Sequence, residues 1–165
     1  MRLPRSRPTM NKKEFSAVIT KILSSNDIGT TKSHQAGILI PKSVSSFTYF
    51  PILNQSILNP REVIEFIDYE SGRRYKFNYI YYNNKIISDG TRSEYRLTGI
   101  RSYLMDMNAK FGDELVFGYK YDPQIRTITL NKVAQQTKKA SSELSTIVLG
   151  SSVIKLQSGW KMVGK

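Results

Sequence analysis

The strongest constraint on the fold is an alternation of aromatic residues within residues 74–82 (RYKFNYIYY). Tyr75, Phe77, Tyr79 and Tyr81 occupy every second position, and in a β-strand side chains two residues apart lie on the same face. Aromatic residues are also typical of strands, where they pack on the pleated surface. The pattern therefore predicts a strand that buries one aromatic face in a β-sheet.

Hairpin turns are predicted beside this strand and again later in the chain. Ser71-Gly72 separates it from an alternating strand at residues 62–69, and Asn83-Asn84 is predicted to turn it into a further strand at residues 85–87. The other predicted elements are strands at residues 36–41, 114–121 and 125–130, a strand over the second half of residues 14–23, a short helix within residues 101–110, a hairpin turn at Asp122-Pro123, and short strands at residues 146–149 and 153–156.

Together these elements predict a mainly β chain of about seven strands with two or three short helices, closed or nearly closed into a barrel. A length of 165 residues suits one domain, or one domain with a tail. Residues 1–13 are interpreted as a flexible basic arm, residues 14–131 as the domain, and residues 132–165 as final strands or a linker.

Net charge narrows the class of partner. Lys and Arg number 25 against 13 Asp and Glu, giving a formal net charge of +12, which favours a polyanion such as nucleic acid or an anionic surface. The absence of cysteine excludes disulfides and cysteine nucleophiles, and the single histidine, His34, excludes sites that need two. No run approaches the roughly 18 apolar residues of a membrane span, so no membrane partner is expected, and the bacterial cytoplasm is the expected location.

The sequence also lacks the common nuclease motifs. No lysine has Asp or Glu two positions before it, as in the acidic-x-Lys ending of restriction-type nucleases, and His34 is not followed by a lysine two positions later. Asp68 and Glu70 lie two apart and could hold a metal ion, although a solvated strand face beside Arg73 and Arg74 is the more ordinary interpretation. The chain is therefore expected to bind rather than cut, with no catalytic residue, metal ion or cofactor.

Two polar segments are candidates for contact with a polyanion. The second polar segment, residues 89–96 (DGTRSEYR), places Arg92, Glu94 and Arg96 on one face if it is extended, with Ser93 and Tyr95 on the other. An arginine fork matches guanine O6 and N7, and a glutamate accepts a hydrogen bond from the cytosine amino group. The alternative is an Arg-Glu-Arg ion network at the surface, which contributes little to the stability of the fold.

The first polar segment, residues 24–35 (SSNDIGTTKSHQ), carries hydroxyls, amides, one lysine and the only histidine. These groups bind phosphates and base edges, and Gly29 would allow the backbone to approach a phosphate closely. An ordinary polar loop, with His34 capping a neighbouring backbone group, remains the alternative.

Taken together, the two segments resemble the amino-terminal, effector-binding domain of EcoRII-type restriction endonucleases. The resemblance rests on Ser-x-Asn-Asp-x-Gly-x-Thr from Ser24, on His-Gln-x-Gly-(x)3-Pro from His34 to Pro41, and on the run TRSEYR at residues 91–96. Residues 58–60 (LNP) and 114–122 (ELVFGYKYD) match in the same order, so the similarity covers roughly residues 15–131.

This resemblance implies a B3-like DNA-binding pseudobarrel in which the two segments grip the major groove of double-stranded DNA as two arms. It also implies that the nuclease belongs to a separate catalytic domain of the full-length protein, and that the target is a short G·C-rich site such as CC(A/T)GG. Lys32, Gly90 and Tyr95 depart from the family pattern. The implied DNA-binding residues are Asn26, Asp27, Thr30, Thr31, Lys32, Ser33, His34 and Gln35 in the first polar segment and Arg92, Ser93, Glu94, Tyr95 and Arg96 in the second.

Three other functions remain open from the residues. A basic aromatic barrel can bind RNA or another single strand by stacking, with Tyr79, Tyr81 and Tyr82 as exposed platforms. A protein-interaction module would use its charge only for solubility. A cryptic nuclease would use Asp68 and Glu70.

Overall fold

The structure is a computed structural model that describes residues 10–11, 14–30, 37–45, 49–133, 153–155 and 159–163. These residues form one nine-stranded sheet with three short helices, which confirms the mainly β prediction. The strands are β1 (Ala17–Ile22), β2 (Ile38–Ile40), β3 (Arg61–Asp68), β4 (Arg74–Tyr82), β5 (Glu94–Thr98), β6 (Glu114–Lys120), β7 (Ile125–Asn131), β8 (Val153–Lys155) and β9 (Trp160–Val163), and the helices are α1 (Lys42–Ser45), α2 (Asn84–Ile87) and α3 (Arg101–Asp106).

The strand order is β2-β5-β4-β3-β7-β6-β1-β9-β8. Neighbouring strands are antiparallel except β3 and β7, which run parallel over a short stretch. The sheet curls, and the two end regions meet where the indole nitrogen of Trp160 on β9 donates a hydrogen bond of 3.1 Å to the carbonyl oxygen of Leu39 on β2. β2 is an edge strand, so it has a neighbouring strand on one side only. The Trp160 indole supplies a donor to a backbone acceptor of this strand.

The aromatic alternation behaves as predicted. β4 begins and ends at the predicted residues, and Tyr75, Phe77, Tyr79 and Tyr81 are all buried in the main core. Their rings pack edge to face or stacked against neighbours on β3, β5 and α3, an arrangement favoured by the ring quadrupoles. β4 thus contributes its aromatic face to the main hydrophobic core.

Two predictions differ from the structure. Residues 85–87, predicted as a hairpin strand, belong to helix α2, and Ile86 and Ile87 are exposed. β4 pairs instead with β5, so the chain makes a detour of eleven residues between the two strands. The bounds of the carboxyl-terminal strand β9 were not predicted, although it lies within the residues interpreted as final strands or a linker, and Trp160 is fully buried and stacks on Phe117 at 5.8 Å. The strand predicted at residues 146–149 lies outside the described residues.

Candidate nucleic-acid interface

The two polar segments lead into neighbouring strands. β2, which follows the first segment, pairs antiparallel with β5, where the second segment ends, and Ile38 lies opposite Leu97 while Ile40 lies opposite Tyr95. Because the strands are antiparallel, the segments join this two-stranded ribbon at opposite ends. Three residue pairs form this ribbon, so two residue steps separate its ends, which amounts to about 7 Å along the strands.

Gly37 marks the end of the ribbon next to the first segment. Its φ is +86°, and a Cβ there would lie 2.3 Å from the carbonyl oxygen of Leu97. Only glycine therefore fits between the strands at this position. The Arg96 guanidinium adds a hydrogen bond of 3.4 Å to the Gly37 carbonyl oxygen, which ties the two strands together.

The second polar segment starts from a buried anchor. Asn83 is fully buried, accepts a hydrogen bond from the Asn59 amide nitrogen at 2.7 Å, and donates to the carbonyl oxygens of Gln55 and Ile57. α2 follows directly, and the Lys85 amide nitrogen donates to the Arg92 carbonyl oxygen at 2.9 Å, which closes the loop. The second polar segment thus begins as a loop that these hydrogen bonds hold in place, and strand β5 begins only at Glu94.

Three charged side chains of this segment converge as the alternation predicts. One carboxylate oxygen of Glu94 lies 2.8 Å from Arg96 Nε and 3.6 Å from Arg92 Nε. The three differ in exposure, because the Arg92 side chain is 40% exposed, that of Glu94 27% and that of Arg96 only 8%. Arg92 is therefore the most exposed of the three side chains. The buried Arg96 side chain fixes the Glu94 carboxylate through its hydrogen bond.

Ser93 and Tyr95 point to the other side of the strand. The Tyr95 ring stacks on Tyr81 at 4.2 Å and on Tyr79 at 5.5 Å, so it belongs to the aromatic packing of the barrel. Ser93 Oγ lies 3.3 Å from the Tyr81 hydroxyl and accepts a hydrogen bond of 2.8 Å from Lys42 Nζ. Tyr95 is thus used for packing.

An open cleft of about 750 Å³ lies beside Arg92. It is lined by Lys42 from α1, Lys85 and Ile86 from α2, and residues 91–94 of the second segment. Three cations against the single carboxylate of Glu94 make this surface electropositive, which suits a phosphate backbone. The sequence patterns gave no reason to select Lys42, because its position depends on the pairing of β2 with β5.

The structure explains why glycine occupies position 90. A Cβ at this position would lie 2.6 Å from the side chain of Asn84, so a larger residue would displace the start of α2. The glycine at this position therefore matches the close approach of this loop to α2.

The first polar segment is only partly described. Asn26 and Thr30 are exposed, and the Thr30 hydroxyl donates a hydrogen bond to the Ser25 carbonyl oxygen at 3.0 Å. Asp27 is turned inward: its carboxylate lies 3.2 Å from the buried Lys21 Nζ and accepts two hydrogen bonds from Ser24. The predicted binding residues Thr31, Lys32, Ser33, His34 and Gln35 lie outside the described residues.

Arg101, at the start of α3, lies against this first segment. Its guanidinium carbon is 3.5 Å from the position of a Cβ on Gly29, so the side chain covers the Gly29 backbone. Arg101 is exposed, and no hydrogen bond or ion pair links it to another described residue. It adds positive charge beside the first segment, and no sequence pattern indicated this residue, because α3 lies far along the chain.

The carboxylates considered for a cryptic nuclease are arranged differently. Asp68 is 2% exposed and accepts hydrogen bonds from Ser71 on one oxygen and from the Tyr103 hydroxyl on the other. Burial, followed by the nearby charge of Asp68, raises the pKa of Tyr103 well above its ordinary value, so this hydroxyl remains a donor. Asp68 is therefore committed to holding the β3–β4 turn against α3. No group of three or more His, Asp or Glu side chains within the described ranges could hold a metal ion.

The stacking platforms considered for single-stranded RNA are also unsuited to that role. Tyr79 and Tyr81 are buried at 0% and 3% exposure, and the half-buried Tyr82 carries the Arg92 guanidinium on its ring. This burial argues against base stacking on β4.

Comparison with known proteins identifies the family of this chain. The family model of the amino-terminal domain of restriction endonuclease EcoRII matches residues 12–155, so the chain belongs to this family. A search of curated protein sequences found no relative.

Among solved structures, the Arabidopsis FUS3–DNA complex is similar with a TM-score of 0.53 and 18% identity, over 70% of this chain and 96% of that one. The B3 domain of the UbaLAI restriction endonuclease, solved with its cognate DNA, gives a TM-score of 0.44 and 21% identity over 70% and 69% of the two chains. The fold is therefore the predicted B3-like pseudobarrel. Within the described part of the chain, no helix combines the length and apolarity needed to cross a bilayer.

Proposed function

We propose that this chain recognises a short sequence of double-stranded DNA, as the effector-binding domain of a type II restriction endonuclease. Membership of the EcoRII amino-terminal family supports DNA binding by an effector domain. The observation that carries the finer proposal is the group of Arg92, Glu94 and Arg96 at the rim of an electropositive cleft. The structure of similar fold, FUS3, is a complex with DNA, which makes a duplex the first ligand to test.

In the proposed mechanism the two polar segments enter the major groove as two arms. The segments join the β2–β5 ribbon at ends about 7 Å apart along the strands, which is within the major-groove width of about 12 Å. Arg92 reads guanine through its free guanidinium edge, and Glu94 accepts from a cytosine amino group. Arg96 is buried, so its role is to fix the Glu94 carboxylate.

The other predicted residues have different roles in this proposal. Tyr95 and Ser93 support the second segment from the barrel side, and Asp27 fixes the base of the first segment through Lys21. Lys42 and Lys85 neutralise phosphates on the rim of the cleft. The base and phosphate contacts proposed for the first segment come from Asn26, Thr30, Thr31, Lys32, Ser33, His34 and Gln35.

Cleavage is proposed to belong to a separate nuclease domain of the full-length protein, acting in the bacterial cytoplasm. A G·C-rich site such as CC(A/T)GG is the proposed target. The test is selection of bound duplexes from a random pool, followed by competition with single-stranded RNA and incubation with Mg²⁺. We expect one short G·C-rich consensus, no effective competition by RNA and no cutting. Recovery of unrelated duplexes would contradict sequence-specific recognition, and cleavage at a fixed site would contradict the division of labour.

A further inference from the structure

Tyr82 occupies a distinct place among the tyrosines of β4. It is the last residue of the strand, and its register partner across the β4–β5 pair is Glu94. Directly opposite residues project from the same face of a sheet, so the Tyr82 ring and the Glu94 carboxylate lie side by side. The Arg92 guanidinium meets both, since its carbon lies 4.7 Å from the centre of the Tyr82 ring and its Nε 3.6 Å from the Glu94 carboxylate.

Core packing does not account for this tyrosine. Tyr79 and Tyr81 are buried in the main hydrophobic cluster, whereas Tyr82 is only half-buried and lies outside that cluster. Within the described residues, its aromatic face has one ring partner, the Arg92 guanidinium. The ring therefore serves the second polar segment rather than the interior of the barrel.

We propose that Tyr82 is a positioning residue that sets the base specificity of Arg92, an inference that rests on the proposed function. A guanidinium held between an aromatic face and a carboxylate loses much of its rotational freedom before DNA arrives. The contacts with the Tyr82 ring and the Glu94 carboxylate thereby restrain the Arg92 side chain. The terminal nitrogens stay available for a guanine edge. Because ordering a long side chain opposes binding, this arrangement favours the correct base pair at the position that Arg92 reads.

The proposal is tested with Tyr82→Leu, which removes the ring face, and Tyr82→Phe, which keeps it. Arg92→Ala identifies the base pair that Arg92 reads, and Tyr121→Leu, an exposed tyrosine in the β6–β7 turn, is the matched control. Dissociation constants are measured on the selected duplex and on a panel with every single base-pair change. The mobility of the Arg92 Nε–H group is measured in the free protein by nitrogen-15 relaxation.

We expect Tyr82→Leu to lose about 3- to 30-fold of discrimination, at the same base pair as Arg92→Ala, from the usual strength of such contacts. Tyr82→Phe and Tyr121→Leu should stay close to wild type, and the double variant Tyr82→Leu/Arg92→Ala should discriminate no worse than Arg92→Ala. In the free protein, the Arg92 Nε–H should become more mobile in Tyr82→Leu, whether or not this variant binds DNA.

Distinct outcomes separate the two proposals. If Arg92→Ala relaxes discrimination but Tyr82→Leu leaves both discrimination and Arg92 mobility unchanged, the role of Tyr82 is wrong while DNA recognition stands. An equal loss on every duplex would likewise overturn the positioning role. If no duplex is selected, the proposed function fails, and unchanged Arg92 mobility in Tyr82→Leu would still refute the positioning role by itself. Tyr82→Ile, which suits a strand, replaces Tyr82→Leu if that variant does not fold.

Discussion

The Trp160 indole nitrogen reaches across the barrel and donates to the Leu39 carbonyl oxygen at 3.1 Å, linking β9 to the strand that follows the first polar segment. The same ring stacks on Phe117 and is completely buried. A residue near the carboxyl end of the sequence thus supports both the core and the edge of the β2–β5 ribbon.

Replacing Trp160 with alanine should lower the free energy of unfolding by about 3–5 kcal/mol, because it removes a large buried ring and leaves a cavity. Trp160→Phe should cost less, since it retains most of the packing but loses the hydrogen bond to Leu39. Denaturant unfolding monitored by circular dichroism provides the measurement. Equal stability of Trp160→Ala and wild type would contradict this role in the core.

Arg92→Ala should weaken binding to the selected duplex by about 1–3 kcal/mol and relax discrimination at one base pair. Arg96→Ala should cost a similar amount, but through Glu94, which loses its closest cationic partner. Fluorescence anisotropy on cognate and random duplexes distinguishes specific from general loss. An equal effect on both duplexes would argue that these arginines contact only phosphates.

Lys42→Ala and Lys85→Ala should weaken binding to all duplexes alike and each reduce the slope of log affinity against log salt by about 1. The reason is that both lysines line the cleft, where their ammonium groups neutralise phosphates irrespective of the base sequence. Lys76→Ala, which changes an exposed lysine in the middle of β4, is the control. A sequence-dependent effect of either cleft lysine would assign it a role in readout. Lys12 and Lys13 lie outside the described residues and keep the same prediction.

Asp27→Asn should destabilise the fold by about 3–5 kcal/mol, because it removes the carboxylate that balances the charge of Lys21, whose side chain is only 5% exposed. The double variant Lys21→Met/Asp27→Asn should recover much of this loss, since it removes the buried charge as well. Thermal unfolding measures both. Full stability of Asp27→Asn alone would mean that Lys21 does not depend on this carboxylate.

Asp113 should make folding sensitive to acid. Burial alone would raise its pKa, but hydrogen bonds from the Lys110 and Val133 amides and from Lys132 outweigh burial and lower the pKa below its ordinary value. A lowered pKa in the folded state gives stability that is present above the unfolded pKa, near 3.9, and lost as the pH falls through the folded value. Asp113→Asn should therefore destabilise the protein at pH 7 and change it less at about pH 2–3. A constant difference across this range would rule out the carboxylate as its origin.

Sequence reasoning succeeded where a local pattern determined the structure. The aromatic alternation of β4 and the Asp122-Pro123 turn between β6 and β7 are local signals, and both elements formed where they were predicted. Residues 85–87 were misjudged because short apolar runs fit a strand or a helical turn equally well, and the choice depended on the distant pairing of β4 with β5.

The candidate site shows the same division. The sequence predicted that Arg92, Glu94 and Arg96 lie together, and the period of β5 accounts for Glu94 and Arg96, whereas Arg92 precedes the strand. The inward turn of Asp27 toward Lys21, the burial of Arg96 and the place of Lys42 beside Ser93 follow from contacts between distant parts of the chain. Periodicity carries no information about such contacts.

The brevity of β2 has a geometric consequence for any duplex held by both segments. Because β2 has only three residues, the backbone fixes the distance between the two ends of the ribbon, where the polar segments are attached. Inserting two residues into each of its strands would lengthen it by about 7 Å, which corresponds to two base-pair steps. Under the proposed function, the length of the ribbon would set the length of the recognised site, and the side chains of the two segments would set its base sequence.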